Sequence, residues 1–225
     1  PVVQSLVTSQ ISFDFIMKIE QLRFQTRWNQ TPRVPSTSVL GHCYFVAIMT
    51  LLFCRSNPVK MCERRVVNDF FSALFHDLPE AVTRDIISPV KQATDELPNI
   101  VKKIEDEIVS KELVPLMEPF LKHDLMYFTS DEFANRYLDE NNVSREVSWE
   151  DLNKLYSNDR YSPVDGKTVR IADHLAALME ADISIKHGIT STHLSNGRNG
   201  MLKHYPVGKI INGIDVGKLF KEIVR

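Results

Sequence analysis

The chain has 225 residues, 43% hydrophobic and 25% charged, with a formal net charge of −2. That length and composition suit a folded domain with a substantial core. The near-neutral balance excludes a sequence-wide basic field for nucleic acid polymers or anionic membranes. Eight glycines without a Gly-rich loop argue against a P-loop or dinucleotide fold.

In chain order, residues 11–25 predict an amphipathic helix with Ile11, Phe15, Ile16, Ile19 and Leu22 on one face. Residues 26–38, with Pro32 and Pro35, read as a loop in which Ser36 or Thr37 caps the next helix. That helix runs to about Arg55 and is apolar nearly all round, so it is central. Its longest apolar run, 43–54, is too short to cross a bilayer. A helix over 62–76 follows, then a short one after Pro79, a loop over 87–98, and a charged amphipathic helix over 100–117. Residues 119–166 are polar and aperiodic, with short helices fitting 130–139 and 148–156. Thr168–His187 is a strong helix with Gly188 as its C-terminal cap. Residues 188–200 read as a loop and 213–224 as a last short helix, with convincing strand alternation nowhere. The expectation is one all-α domain over 1–225. Cys43, Cys54 and Cys62 are an odd set without a CxxC pair and read as reduced thiols of a cytoplasmic protein.

Four residues interrupt the apolar helical patterns. His42 lies near the start of the central helix, His76 and Asp77 end the next, and Asp173 lies one turn into the late helix. Buried charge without a partner is costly. Two imidazoles and two carboxylates converging from three helices would satisfy one another by binding a divalent metal, with positions left for water and substrate. His174 points about 100° from Asp173 and is no ligand. Glu180, two turns after Asp173, shares its face and suits a role behind the ligands. His123, His187, His193 and His204 have no partner at ligand spacing.

The H…HD…D order resembles the HD superfamily of metal-dependent phosphohydrolases, and within it the bacterial 5′-deoxynucleotidases. The segment "HDLPEAVTRDIISPVK" (76–91), the "RWN" at 27–29 and the "ADHLAAL" at 172–178 carry the resemblance. It covers roughly 13–118 and 166–187. It implies an HD-domain helical bundle with 119–166 as a less regular insertion: a lid, a homodimer contact or a specificity element. It also implies one divalent ion (Mn, Co, Fe, Ni, Zn or Mg) on His42, His76, Asp77 and Asp173. Glu80 and Asp85 then serve as the proton-handling carboxylates, one toward the water and one toward the leaving 5′-oxygen, in an order the sequence leaves open. Arg27 is placed on the substrate phosphate, Trp28 beside the sugar, and Lys91 near phosphate or Asp85. The implied reaction removes phosphate from (deoxy)nucleoside 5′-monophosphates by attack of a metal-activated water. The alternatives are an HD phosphodiesterase or pyrophosphohydrolase on another, signalling nucleotide, or a non-catalytic helical scaffold with a structural metal. Gly41 and Cys43 depart from the acidic and small hydroxyl residues usual in the family at those positions.

Overall fold

The computed structural model describes residues 10–83 and 96–225, together with Gln4 and Thr8. Helices α1 (Gln10–Phe24), α2 (Val39–Ser56), α3 (Glu63–Phe75) and α4 (Glu80–Thr83) open the chain. Helices α5 (Leu97–Ile108) and α6 (Pro119–Thr129) follow. Then come strands β1 (Asn135–Leu138) and β2 (Ser144–Glu146), helix α7 (Trp149–Leu155) and strand β3 (Val164–Asp165). Helices α8 (Gly166–Lys186) and α9 (Thr192–His204), the hairpin β4 (Ile210–Ile211) and β5 (Ile214–Asp215), and helix α10 (Val216–Ile223) complete it. The fold is helical, as the periodicity predicts.

Helix α2 is the axis. Ser38, rather than Ser36 or Thr37, caps it: its hydroxyl accepts from Gly41 N at 3.0 Å. The helix is long and apolar enough to cross a membrane by length and composition. Here Val39, Cys43, Val46, Ala47 and Thr50 are instead buried in the bundle, and the helix packs on α3 and α8. Those contacts build a core in which Val46, Ala47 and Phe53 meet Ala73, Val169, Ala172, Leu175 and Ala176.

The buried face of α3 departs from its apolar pattern. Val67 and Phe71 are exposed, whereas Arg65, Asn68, Asp69 and Ser72 are buried. The reason lies in residues 119–166. Arg65 forks onto Asp165 at the end of β3, Nε to Oδ2 at 2.6 Å and Nη2 to Oδ1 at 2.7 Å. Asp69 Oδ1 accepts the backbone N–H of Asp165 at 2.6 Å. A second buried arginine, Arg136, donates to the Tyr127 carbonyl at 2.8 Å. The helix expected over 130–139 is therefore replaced by strand β1, which pairs antiparallel with β2 and β3 in the order β2-β1-β3. Its polar residues look outward in sequence, yet they are core because each charge has a fixed partner. The segment expected to be loose also places Leu138, Leu152 and Val164 in the interior.

This network carries a stability prediction. Asp165→Ala leaves the buried Arg65 guanidinium without its bidentate carboxylate, with only Asn153 and Ser157 still accepting from it, so the domain should lose roughly 3–5 kcal/mol. Urea unfolding of the two proteins measures it; a loss below about 1 kcal/mol would mean that water reaches Arg65.

Three further departures have local causes. The helix expected over 100–117 stops being regular at Ile108 and continues as a wide turn (Val109–Leu113) and a tight one (Val114–Leu116), where Pro115 has no N–H to donate. Residues 192–204, expected as loop as far as 200, form α9. Leu194 anchors it in the core, and Gly197 is required because a Cβ there would stand 3.1 Å from the Trp28 ring. The two short strands β4 and β5 were absent from the sequence pattern because two residues are too few to show alternation. Gly188, with φ +86°, ends α8 as expected.

Candidate metal centre

The first turn of α2, the third turn of α8 and the C-terminal end of α3 point into one place. His42 enters from α2, Asp173 from α8, and His76 and Asp77 from the end of α3, where His76 is the C-cap. His76 Nδ1 lies 2.7 Å from the Ala73 carbonyl, so Nδ1 carries a proton and Nε2 is the nitrogen turned to the cluster. Nε2 of His76 is buried and makes no hydrogen bond among the described residues.

Four ligand-type atoms converge there. His42 Nε2 is 3.1 Å from Asp173 Oδ1 and 3.9 Å from Asp77 Oδ2. His76 Nε2 is 3.3 Å from Asp77 Oδ2 and 3.9 Å from Asp173 Oδ1. Ligands held roughly 2.0–2.2 Å from one ion stand about 3.0–3.6 Å apart. Two of the four edges fall in that range and two exceed it by about 0.3 Å. His42, His76 and Asp77 each offer a ligand atom within 4.8 Å of the others, and Asp173 reaches both imidazoles. Two imidazoles and two carboxylates fit one divalent ion, and the Nε2 of His76 aimed into the cluster is what such an ion takes up.

The charges agree. Burial opposes ionisation of Asp77 and Asp173, but the imidazoles beside them hold both carboxyls well below the usual carboxylate range. Burial likewise opposes a charge on His76, yet Asp77 and Asp173 lift its pKa to about 9. A cation belongs between these groups, and a metal would displace that proton.

Around the cluster sits a second layer. Glu180 Oε1 is 3.4 Å from His42 Nδ1, and its Oε2 accepts the Trp28 indole N–H at 3.0 Å. Arg33 Nη1 lies 3.1 Å from the same Oε2. Arg27 Nη1 is 3.4 Å from Asp77 Oδ2, which sets its guanidinium at the rim of the cluster. The loop carrying these residues is pinned at its base: Arg27 N donates to Thr37 O and Val39 N to Gln25 O, each at 2.9 Å. Glu80 opens α4, is 3% exposed, and its N–H donates to Asp77 O at 3.0 Å. Burial, with Asp77 and Glu80 nearby, pushes the Cys43 thiol far up, so Cys43 is no nucleophile.

The structure thus brings together His42, His76, Asp77 and Asp173, with Glu80, Arg27 and Trp28 on adjoining elements. Asp85 and Lys91 lie outside the described residues. His174 turns away to the Tyr205 hydroxyl, 2.7 Å from its Nδ1. Sequence reasoning missed Arg33 and Arg170. Arg170 stacks over Phe133 with its CZ 4.0 Å from the ring centroid and approaches Asp173 Oδ2 at 3.4 Å. Its place three residues before Asp173 on one helix face was the available signal. Nothing in a loop of mixed polar residues marks Arg33.

Residues 19–201 match the family model of the HD domain. No curated protein matches the chain. Among solved structures, it is similar to an HD-domain phosphohydrolase from Listeria innocua, with 18% identity, a TM-score of 0.63, and coverage of 93% of this chain and 85% of that one. It is similar also to the PH0347 protein from Pyrococcus horikoshii OT3, with 16% identity, a TM-score of 0.58, and coverage of 94% and 98%. A third is the cyanophage S-2L HD phosphohydrolase DatZ, bound to dA and one catalytic Zn2+ ion, with 14% identity, a TM-score of 0.55, and coverage of 92% and 95%. At these identities the structural likeness establishes a shared fold.

Proposed function

Because this chain belongs to the HD-domain family, we propose that it is a metal-dependent phosphohydrolase that removes phosphate from (deoxy)nucleoside 5′-monophosphates in the cytoplasm. The observation that carries the reading is the convergence of four ligand-type atoms from three helices, with the Arg27 guanidinium at their rim. The nucleoside bound to the cyanophage relative supports a nucleotide-sized substrate.

A divalent ion held by His42, His76, Asp77 and Asp173 supplies Lewis acidity toward phosphoryl oxygens and lowers the pKa of water. The chain supplies the rest. Arg27 presents a planar fork of donors suited to phosphate oxygens. Its contact with Asp77 holds that fork in place before substrate arrives. Glu80, within the buried wall behind Asp77, takes or holds a proton, and Asp85 is proposed as its partner at the leaving oxygen. Lys91 is proposed as a further charge near the phosphate. A scaffold with a structural metal would have no use for Arg27 and a buried Glu80 beside it. A phosphate-release screen over nucleoside mono-, di- and cyclic phosphates with several metals tests the reading. Release from cyclic or diphosphate substrates alone would favour the phosphodiesterase or pyrophosphohydrolase alternative.

Sugar choice gives a second expectation. The Trp28 indole N–H is given to Glu180, so the ring has no hydrogen-bonding group for a 2′-hydroxyl. A ribose hydroxyl buried against it unpaired should cost on the order of 1–3 kcal/mol. Deoxynucleotides should therefore exceed ribonucleotides by roughly 10–100-fold in kcat/KM. Trp28→Ala should shrink that ratio, and Arg27→Ala should lower both classes alike. Equal kcat/KM for dAMP and AMP in the unmutated protein would remove Trp28 from the sugar site.

A further inference from the structure

We propose that Glu180 is a positioning residue that couples metal occupancy to the order of the 26–38 loop, so that the ion is required to set the loop as well as to do chemistry. The proposal rests on the metal-site reading above.

One carboxylate spans two systems. Its Oε1 faces Nδ1 of His42, the ring nitrogen opposite the ligand nitrogen Nε2. Its Oε2 takes the Trp28 indole N–H and the Arg33 guanidinium. Arg33 in turn donates to Thr37 Oγ1 at 2.8 Å and to the Pro35 carbonyl at 3.2 Å, so it holds the loop's second half. The loop is joined to α8 again where the Ser184 hydroxyl donates to the Val34 carbonyl at 3.3 Å. Its tip therefore hangs on one turn of α8, and the hub of that turn is Glu180.

The link has a direction. A metal on Nε2 fixes the His42 ring and makes its Nδ1–H a stronger donor toward Oε1. A carboxylate held there by His42 presents Oε2 in a fixed place to Trp28 and Arg33. Conversely, a loop that holds Oε2 orients the His42 ring before the ion arrives. By reciprocity, the factor by which the ion favours the ordered loop is the factor by which the ordered loop binds the ion more tightly than the loosened one. Arg33 touches none of the four ligands, so an effect of Arg33 on metal affinity reaches them through Glu180 or through the loop's other contact with the cluster, Arg27 on Asp77, and the double variant with Glu180 tells the two routes apart.

The test uses Zn2+ alone, with no substrate, so failure of the hydrolytic reading and failure of this one are separable. Zinc affinity is measured by calorimetry on the full chain, and the loop is followed through the Trp28 indole N–H resonance, assigned with Trp28→Phe. Glu180→Ala should lower zinc affinity by roughly 10–100-fold. It should also abolish the shift of the indole resonance on zinc addition. Arg33→Met should lower zinc affinity by about tenfold, and the double variant should cost less than the two single effects combined. Glu180→Gln guards against a folding failure: it keeps the volume but offers one acceptor where two are needed, so the zinc-driven indole shift should vanish in a folded protein. Zinc affinities within twofold of the unmutated protein in Arg33→Met and Glu180→Gln, with the indole shift preserved, would overturn the proposal. So would a lowered Tm in Glu180→Ala with zinc affinity unchanged, since that assigns Glu180 to packing alone.

Discussion

Asp77→Ala is expected to lose both the bound metal and all turnover. Asp77 Oδ2 lies within 4 Å of both ligand nitrogens and of Arg27. Removing it leaves three ligand groups, two of them neutral when ligating, against one carboxylate. It also leaves Arg27, which is largely buried at the rim, without its counter-charge on that side. Metal content after dialysis, measured beside phosphate release, decides the matter. Asp77→Asn keeps the shape and one oxygen but removes the charge, and it should fail almost as badly, because a divalent ion in a half-buried site needs anionic ligands to offset lost hydration. Stoichiometric metal in Asp77→Ala would place the ion elsewhere and end the four-ligand reading. Metal retained only in Asp77→Asn would show that shape outweighs charge.

The four converging residues stand out in the sequence for a physical reason. Each is a polar residue set into an apolar helical face, where an unpaired group is too costly to persist by accident. The same logic exposed Glu180, two turns from Asp173 on one face. It failed where polar burial is satisfied by distant partners. Arg65 and Asp69 break the apolar face of α3 just as His76 does, yet their partner Asp165 lies 100 and 96 residues further along the chain, respectively. No local pattern announces such a pairing, so 119–166 read as loose when its charges are in fact fixed in the core. Short elements were lost for a different reason. Strands β4 and β5 have two residues each, and β1 has four, which is too little for a period of two to stand out. Helix α9 was hidden by Gly197 and Gly200 and by its asparagines, which lower helix propensity. Tertiary contact overrides that propensity: Leu194 is in the core, and Gly197 yields its side-chain space to Trp28.

The second large effect belongs to Glu80. A buried carboxylate three residues after a metal ligand has two readings, a helix-terminal charge or a proton-transfer group. The dipole reading is weak here. Helix α4 has only four residues, and so short a helix builds little macrodipole to hold an acid at its start. Burial to 3% exposure is costly for a carboxylate, and its backbone N–H on the Asp77 carbonyl ties Glu80 to the turn that carries a proposed ligand, which is the ground for a proton-handling role. Glu80→Ala should therefore leave metal affinity nearly intact and lower kcat by roughly 10²–10⁴-fold. The isosteric Glu80→Gln separates the causes. It preserves packing and can still accept a hydrogen bond from water, but it cannot take a proton at neutral pH. If proton transfer is the role, Gln should lose nearly as much as Ala; if Glu80 only aligns the water, Gln should recover most of kcat. Single-turnover phosphate release on metal-loaded protein distinguishes these. Turnover within a few-fold of the unmutated protein in Glu80→Ala would reduce Glu80 to a wall residue and shift the proton-handling role to Asp85.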